Sequence, residues 1–233
     1  MVPKIGIGIT TRDRPKVFEL CLKYFYTYTP YTTQFEIYSY NDASTTDYPI
    51  PATETGQTRI GIAKAKNKCL YHLYNAGCTH IFLFDDDCFP IANKWWQPFT
   101  DSQQAHLNYA VPIEGQNSVL AQDNELLSMS HLWGCMLYFN TEKCGQIWYD
   151  ERFDIYGYEH CELSRRLHRQ GKSPYLCTTL KGIDSYIYSL DFAPHLNQKL
   201  PSWQLEGEFK SSIYDEDASR YVAQNQKIWD LTA

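Results

Sequence analysis

The chain has 233 residues, of which 43% are hydrophobic and 15% aromatic, and its 21 Lys and Arg against 27 Asp and Glu give a formal net charge of -6. This length and composition can bury a full hydrophobic core, which excludes disordered and collagen-like proteins. The acidic balance excludes a strongly basic protein that coats nucleic acid. No apolar run approaches the roughly eighteen residues of a membrane span and no secretory signal is visible, so we expect a soluble, cytoplasmic protein.

The first predicted elements are a strand and a helix. Residues 5–9 form an apolar run, and the polar stretch after it contains Asp13, which can cap a helix, and Pro15, which suits a first helical turn. Apolar side chains then recur with the helical period over residues 17–28. The pattern predicts a strand followed directly by a helix.

The next elements repeat this order. Residues 35–40 alternate as a strand does, and the turn-forming residues 41–47 follow them. A second helical stripe over residues 60–74 is stopped by Gly77 and leads into a third strand over residues 80–84. Strands that alternate with helices predict an α/β fold, a mostly parallel central sheet flanked by helices. Ligands of such folds bind beyond the carboxyl ends of the strands.

The second half of the chain is less regular. We expect an apolar stretch over residues 133–139, a helix over residues 159–170 and a final helix over residues 215–229. No linker or repeat separates the two halves, so we expect one domain over residues 1–233. The eight cysteines contain no CxxC pair, which favours free, packed thiols over disulfides.

Three adjacent carboxylates, Asp85, Asp86 and Asp87, follow the third predicted strand. Ionised neighbours repel one another, so the cluster favours a bound cation or contact with solvent. Since side chains alternate along an extended chain, we expect Asp85 and Asp87 to share a side and Asp86 to point away. Two oxygen donors on one side suit Mg²⁺ or Mn²⁺ that completes its shell with water and a diphosphate. A solvated acidic turn is the simpler alternative.

Four segments resemble, in the right order, the glycosyltransferases of the A-type fold (GT-A), in particular the family-2-like group. Residues 9–15 are similar to that family's I-P-T-Y-N-R-P, residues 41–45 to D-D-G-S-T, and residues 61–70 to G-x-A-x-A-R-N-x-G-L. The fourth segment is the Asp-x-Asp of residues 85–87, followed by Pro90. The ordered combination is far more specific than any one of the motifs.

The resemblance implies a GT-A domain whose residues 1–90 bind a nucleotide sugar and whose residues 91–233 bind the acceptor. Three positions depart from the family's pattern, because Asn41 replaces an acid, Lys66 an arginine and Cys69 a glycine. The implied metal ligands are Asp85 and Asp87. The implied donor-binding residues are Thr11, Arg12, Asn41, Asp42, Lys66, Asp85 and Asp86.

A downstream segment, residues 153–166, resembles the family's F-D-x-x-x-G-x-E-D-x-D-L-x-x-R. It contains Glu159 and Glu162, and His160 stands where an aspartate is usual. The reaction needs a base that takes a proton from an acceptor hydroxyl, and an unshifted histidine titrates in the right range. The base is therefore His160 or Glu159, with a structural or acceptor-binding role open for either, and Glu162 is an acceptor-binding candidate.

Trp133 and Gly134 precede an apolar run, where family members have an aromatic and a small residue that border the acceptor pocket. Aromatic faces stack on sugar rings, although a core tryptophan is the commoner case. His195 is a candidate late metal ligand, as some A-type transferases use one, with an ordinary surface or core histidine as the alternative.

The resemblance as a whole implies a glycosyltransferase that depends on Mn²⁺ or Mg²⁺ and moves a sugar from a nucleotide sugar, most simply a UDP-sugar, to a hydroxyl with inversion. One alternative is a virus-encoded enzyme of the host cytoplasm that modifies DNA bases, although the net charge of -6 disfavours nucleic acid as a partner. Another is a non-catalytic nucleotide-sugar-binding module, since a fold alone does not establish activity.

Overall fold

The computed structural model describes residues 3–196 and 216–232. Its strands, in chain order, are β1 (Ile5–Thr11), β2 (Phe35–Asn41), β3 (Glu54–Thr55), β4 (His80–Asp85), β5 (Cys88–Pro90), β6 (His106–Asn108), β7 (Val119–Gln122), β8 (Leu126–Met129), β9 (Met136–Asn140), β10 (Thr178–Leu180) and β11 (Ile187–Ser189). Its helices are α1 (Pro15–Tyr28), α2 (Ile62–Asn75), α3 (Gln97–Asp101), α4 (Thr141–Cys144), α5 (Glu159–Arg169) and α6 (Glu216–Thr232).

A six-stranded sheet with the order β3-β2-β1-β4-β9-β6 forms the centre of the fold. β1 pairs in parallel with β2 and β4, β2 pairs in parallel with β3, and β9 runs antiparallel to β4 and β6. The prediction of a mostly parallel sheet flanked by helices is confirmed. The register pairs Thr10 with Asp85 and Thr11 with Asn41, so the carboxyl ends of β1, β2 and β4 lie side by side.

Helices cover both faces of this sheet. On one face α1 packs Phe18, Cys21 and Phe25 against the aromatic side chains of β4. On the other face α2 and α5 share a second apolar cluster with the opposite side of β4. α2 lies close to β1 because Gly8 has no side chain, and a Cβ there would be 2.7 Å from the Cβ of Cys69. The sheet is therefore buried on both sides.

The start of α1 differs from the prediction in one respect. Pro15 begins the helix as expected, but the N-cap residue is Arg14, and no side chain caps the helix. Asp13 adopts a positive φ of 53°, and its Oδ1 accepts a hydrogen bond of 2.7 Å from the backbone N–H of Thr45. Asp13 therefore ties the start of α1 to the loop after β2 instead of capping the helix.

The second half adds two smaller sheets. β7, β8 and β10 form an antiparallel sheet, and β11 pairs with β5. Strand β9 begins at Met136, after residues 133–135, which were expected to precede a strand, and α5 and α6 agree closely with the two helices expected in this half. All eight cysteines are free thiols, and six of them are buried. None of the helices in the described residues is both long and apolar enough to cross a membrane.

Candidate active site

The acidic cluster lies where β4 ends. Asp85 is the last residue of the strand, and its side chain is 25% exposed. The side chains of Asp86 and Asp87 are 0% and 6% exposed, and both pair with Arg14, whose Nη1 lies 2.8 Å from Oδ2 of Asp87. The expectation that Asp86 points away from Asp87 is therefore wrong, because the chain turns after Asp85 and the alternation of side chains ends with the strand.

Arg14 is a buried cation that the sequence analysis did not include among the site residues. Burial opposes its charge, but Asp86 and Asp87 outweigh burial and raise the pKa of Arg14 above its ordinary value. Buried carboxylates are stable only when they are paired. Three adjacent acids after a buried strand need a nearby cation. Arg14 follows the end of the neighbouring strand β1, and this position could have identified it from the sequence.

Thr11 holds the middle carboxylate of the cluster. Its hydroxyl donates to Oδ2 of Asp86 at 2.5 Å and lies 2.9 Å from the hydroxyl of Tyr48, which also accepts from the backbone N–H of Arg14 at 3.0 Å. Burial raises the pKa of Asp86 to about 7, against the opposing charge of Arg14. Thr11 and Tyr48 therefore fix the position of Asp86, and Tyr48 is a second residue that the sequence analysis missed.

Lys66 connects the two predicted halves of the chain. Its side chain is 1% exposed, and its Nζ lies 2.9 Å from Oδ1 of Asp85 and 2.8 Å from the carbonyl oxygen of Gly134. Burial lowers the pKa of Lys66, but Asp85 more than offsets this effect, so the ammonium group stays charged. The lysine thus stabilises Asp85 as a carboxylate and fixes the segment around Gly134.

The other expected donor-binding residues lie in the loops beside the cluster. Oδ1 and Oδ2 of Asp42 accept hydrogen bonds from the backbone N–H groups of Ile60 and Gly61 at 2.7 and 2.9 Å. Asn41 accepts from the backbone N–H of Ser44 at 3.0 Å, and Nε of the half-buried Arg12 lies 3.3 Å from Asp13. Asn41 and Asp42 therefore fix the loop after β2 and the approach to α2, both of which border the site.

Glu159 and His160 form a pair at the start of α5. Nδ1 of His160 lies 3.0 Å from Oε1 of Glu159, whose Oε2 accepts from the backbone N–H of Gly157 at 2.9 Å. Burial raises the pKa of Glu159, but His160 and Lys66 lower it to about 2. Burial lowers the pKa of His160, but Cys161 and Glu159 raise it well above its ordinary value. Glu159 is therefore a poor base and a strong partner for the histidine.

Gly134 joins this pair to the acidic cluster. A Cβ at Gly134 would lie 2.8 Å from both Cγ and Nδ1 of His160, so only glycine leaves room for the ring. The same residue accepts the hydrogen bond from Lys66. Asp85, Lys66, Gly134, His160 and Glu159 therefore form one continuous set of contacts.

The remaining acceptor-side candidates have different surroundings. Both carboxylate oxygens of Glu162 are bound by Arg166, at 2.8 and 3.1 Å. The half-buried ring of Trp133 stacks on Phe192 with 3.7 Å between the ring centroids, so one face is covered. The backbone of His195 lies in a short 3-10 helix, Ala193–Leu196, and its side chain lies outside the described part of the chain. Its expected role as a metal ligand stays a prediction.

Two carboxylates of the acidic cluster have the chemistry of ligands for the divalent cation that the resemblance in sequence implies. Oδ1 of Asp87 is buried and has no hydrogen-bond partner, and Asp85 is the most exposed acid of the cluster. Across residues 3–196 and 216–232, no three His, Cys, Asp or Glu side chains come together as a complete metal site. Two carboxylates fit a cation that takes its other ligands from water and a diphosphate.

Asp191 lies near the cluster, where burial and Asp87 raise its pKa to about 8.

No protein-family model and no curated protein matches the sequence, but solved structures match its fold. The mannosyltransferase PcManGT from Pyrobaculum calidifontis, in complex with GDP-Man and Mn²⁺, shares 14% identity at a TM-score of 0.54 over 76% of this chain and 55% of that chain. GalNAc-T7 with UDP, GalNAc and Mn²⁺ shares 13% identity at a TM-score of 0.56 over 77% of this chain and 43% of that chain. S. aureus TarS 1-349 with UDP shares 14% identity at a TM-score of 0.57 over 97% of this chain and 78% of that chain.

The chain spans about half the length of the first two of these structures. At such low identities the similarity concerns the fold alone. The chain therefore has the GT-A fold of the glycosyltransferases, as the resemblance in its sequence implied.

Proposed function

We propose that this chain is a glycosyltransferase that moves a sugar from a nucleotide sugar to an acceptor hydroxyl with the help of a divalent cation. The observation that carries the proposal is the continuous contact between Asp85 of the acidic cluster and the Glu159–His160 pair, through Lys66 and Gly134. Inverting transfer from a diphosphate leaving group uses a cation on one side and a proton acceptor on the other. The acidic cluster would hold the cation, and the Glu159–His160 pair would supply the proton acceptor.

On the donor side, Asp85 and Asp87 would hold the cation. When bound, Mn²⁺ or Mg²⁺ neutralises the negative charge of the leaving diphosphate. Arg14 and Lys66 pair with the carboxylates and hold them in position, and the half-buried Arg12 is available to the nucleotide at the loop edge. The structural neighbours contain UDP or GDP-Man, so the donor we propose is a nucleoside diphosphate sugar, with UDP-sugars as the first choice.

On the acceptor side, we assign His160 as the base and Glu159 as the group that orients it. Glu159 has a pKa of about 2 and would not take a proton from a hydroxyl near neutral pH. Neutral His160 can take that proton as the hydroxyl attacks the anomeric carbon from the side opposite the diphosphate, which gives inversion. The half-buried ring of Trp133, which stacks on Phe192, is the platform we propose for a sugar acceptor.

The proposal is tested by incubating the chain with UDP- and GDP-sugars, Mn²⁺ and a panel of carbohydrate acceptors, and by measuring both the released nucleoside diphosphate and the glycosylated product. We expect Asp87→Asn to lower transfer by about a hundred- to a thousandfold, because a negatively charged ligand of the cation that neutralises the leaving diphosphate is lost. Asp101→Asn, the same change at an exposed position at the end of α3, is the control and should leave transfer unchanged.

Other outcomes would contradict the proposal in distinct ways. Full activity in EDTA would remove the cation from it, and a product with the anomeric configuration of the donor, seen by NMR, would exclude inversion. Transfer to double-stranded DNA would assign the acceptor to the DNA-modifying alternative. Donor binding without hydrolysis or transfer across the panel would indicate a non-catalytic binding module.

A further inference from the structure

We infer that Asn225, on the C-terminal helix α6, is a positioning residue for the Glu159–His160 pair. The inference rests on the proposed role of that pair in transfer. It assigns a part in the reaction to a helix far from the pair in sequence, which none of the motifs in the sequence indicated.

The side chain of Asn225 is fully buried and bonds to a single backbone turn, residues 154–157. Its Nδ2 lies within 2.7, 2.9 and 3.0 Å of the carbonyl oxygens of Asp154, Tyr156 and Gly157. Its Oδ1 accepts from the backbone N–H of Asp154 at 3.1 Å. One amide thus contacts four backbone groups of the turn: its two N–H donors are shared among three carbonyl oxygens, and its oxygen accepts from the fourth group.

The turn has a backbone that needs such support. Ile155, Gly157 and Tyr158 have positive φ angles of 28°, 105° and 68°, a conformation that side chains such as those of Ile and Tyr rarely adopt. Backbones of this kind persist only where the surrounding structure fixes them. The surroundings here include Val222 of α6, whose Cγ2 would lie 3.1 Å from a Cβ at Gly157.

The turn is held from the other side by the start of α2. The backbone N–H of Ile62 donates to the carbonyl of Ile155 at 3.1 Å, and a Cβ at Gly61 would lie 2.8 Å from the Cα of Ile155. Gly61 is itself fixed by Asp42. The turn therefore lies between the donor-side loop and α6, and Asn225 supplies the hydrogen bonds on the α6 side.

A single residue, Gly157, links the turn to the Glu159–His160 pair. The carbonyl of Gly157 accepts from Asn225, and the N–H of Gly157 donates to Oε2 of Glu159, which holds His160. α6 is anchored along α5 by Trp229, whose ring lies 3.4 Å from the guanidinium carbon of Arg165 and stacks on Tyr158. Displacement of Asn225 would thus move the group that orients the base.

The test compares Asn225→Asp with Gln224→Glu. Both variants add one negative charge to neighbouring positions of α6, but Gln224 is exposed. Asn225→Asp replaces the amide donor by an acceptor that faces three carbonyl oxygens. We expect it to lower kcat by about ten- to a hundredfold, as misplacement of a reacting group does, with donor KM nearly unchanged. NMR titration of the His160 ring should show its pKa moving toward the ordinary value, while Gln224→Glu behaves as the wild type.

Three results would overturn the inference. One is a folded Asn225→Asp protein with wild-type kcat and wild-type titration of His160, and another is an equal loss of donor binding, which would indicate a general structural defect. The third concerns the wild type alone, so it does not depend on any variant folding. Hydrogen exchange at the Gly157 amide should share the opening free energy and denaturant dependence of the α6 amides, and independent exchange would contradict the coupling.

These measurements also separate this inference from the proposed function. If the wild type transfers no sugar from any donor, the proposed function fails, whereas the His160 titration and hydrogen exchange still report whether Asn225 positions the pair. If transfer is present and the two structural readouts do not respond to Asn225→Asp, the inference alone fails.

Discussion

The acidic cluster and the Glu159–His160 pair are supported in opposite ways. Asp85, Asp86 and Asp87 lie at the end of a regular strand, and their charges are balanced by the side chains of Arg14 and Lys66. The Glu159–His160 pair follows an irregular turn with positive φ angles, and that turn is held mainly by hydrogen bonds to its backbone.

Because of this difference, substitutions in the two regions should affect different properties of the protein. Loss of a cation beside the cluster leaves buried carboxylates unpaired, which reduces the stability of the whole fold. Loss of a contact beside the pair leaves the core intact and changes the orientation of a reacting group, which reduces turnover. Variants of the two regions should therefore differ in whether stability or kcat responds first.

The largest effect is expected from His160→Ala. Removal of a positioned base should lower kcat by about a hundred- to ten-thousandfold with donor affinity nearly intact. His72→Ala, on the outer face of α2, is the matched control and should keep wild-type kcat. Steady-state kinetics and donor titrations measure both quantities. Since an aspartate is usual at this position in the family, His160→Asp should retain more activity than His160→Ala, and equal loss in both variants would argue against His160 as the base.

A second, smaller effect is expected in stability. Arg14→Met leaves Asp86 and Asp87 buried without their cation, which should lower the free energy of unfolding by about 3–5 kcal/mol. Lys23→Met, on the exposed side of α1, should change it little. Denaturant titration measures the difference. Mn²⁺ should restore part of the stability of Arg14→Met, because a cation at Asp87 replaces the lost charge, and a variant as stable as the wild type would contradict this account of the cluster.

The smallest effect compares one substitution at two carboxylates of α5. If His160 is the base, as we propose, its neutral form is the active one, and kcat should rise with pH through the pKa of His160, which lies above its ordinary value in part because of Glu159. Glu159→Gln removes that negative charge, lowers the pKa of His160 and should move the acidic limb of the pH profile to lower pH. Glu162→Gln should leave the limb in place, because both oxygens of Glu162 are bound by Arg166. Equal shifts in both variants would contradict the pairing.

Much of the donor side could be predicted from the sequence. The helices α1 and α2 and the strands β1 and β4 show patterns of apolar residues that are local in sequence. These patterns placed the acidic cluster at the carboxyl edge of the sheet. The errors arose where local patterns compete with distant partners. Asp13 was expected to cap α1, but the parallel pairing of β1 with β2 brings Thr45 to its carboxylate, 32 residues away in sequence.

The acceptor side was less predictable for the same reason. Glu159 and His160 were identified from a resemblance, but the choice between them needed the contacts that set their pKa values. Asn225 lies 68 residues from Gly157 in sequence, and a single polar residue on a helix carries no signal that it will be buried. Tyr48, in the loop after β2, was missed because its partner Thr11 lies 37 residues away in sequence.

The position of Lys66 has a consequence for how the binding of one substrate changes the affinity for the other. The ammonium group of Lys66 contacts both Asp85 and the carbonyl oxygen of Gly134. If a bound donor and cation displace Asp85, the contact between Lys66 and Gly134 should change as well. His160 packs against Gly134, so the change would reach the acceptor side. Occupancy of one substrate site is then energetically coupled to occupancy of the other, and such coupling is reciprocal. We expect the donor to change acceptor affinity by the same factor by which the acceptor changes donor affinity, and Lys66→Met to bring that factor to one.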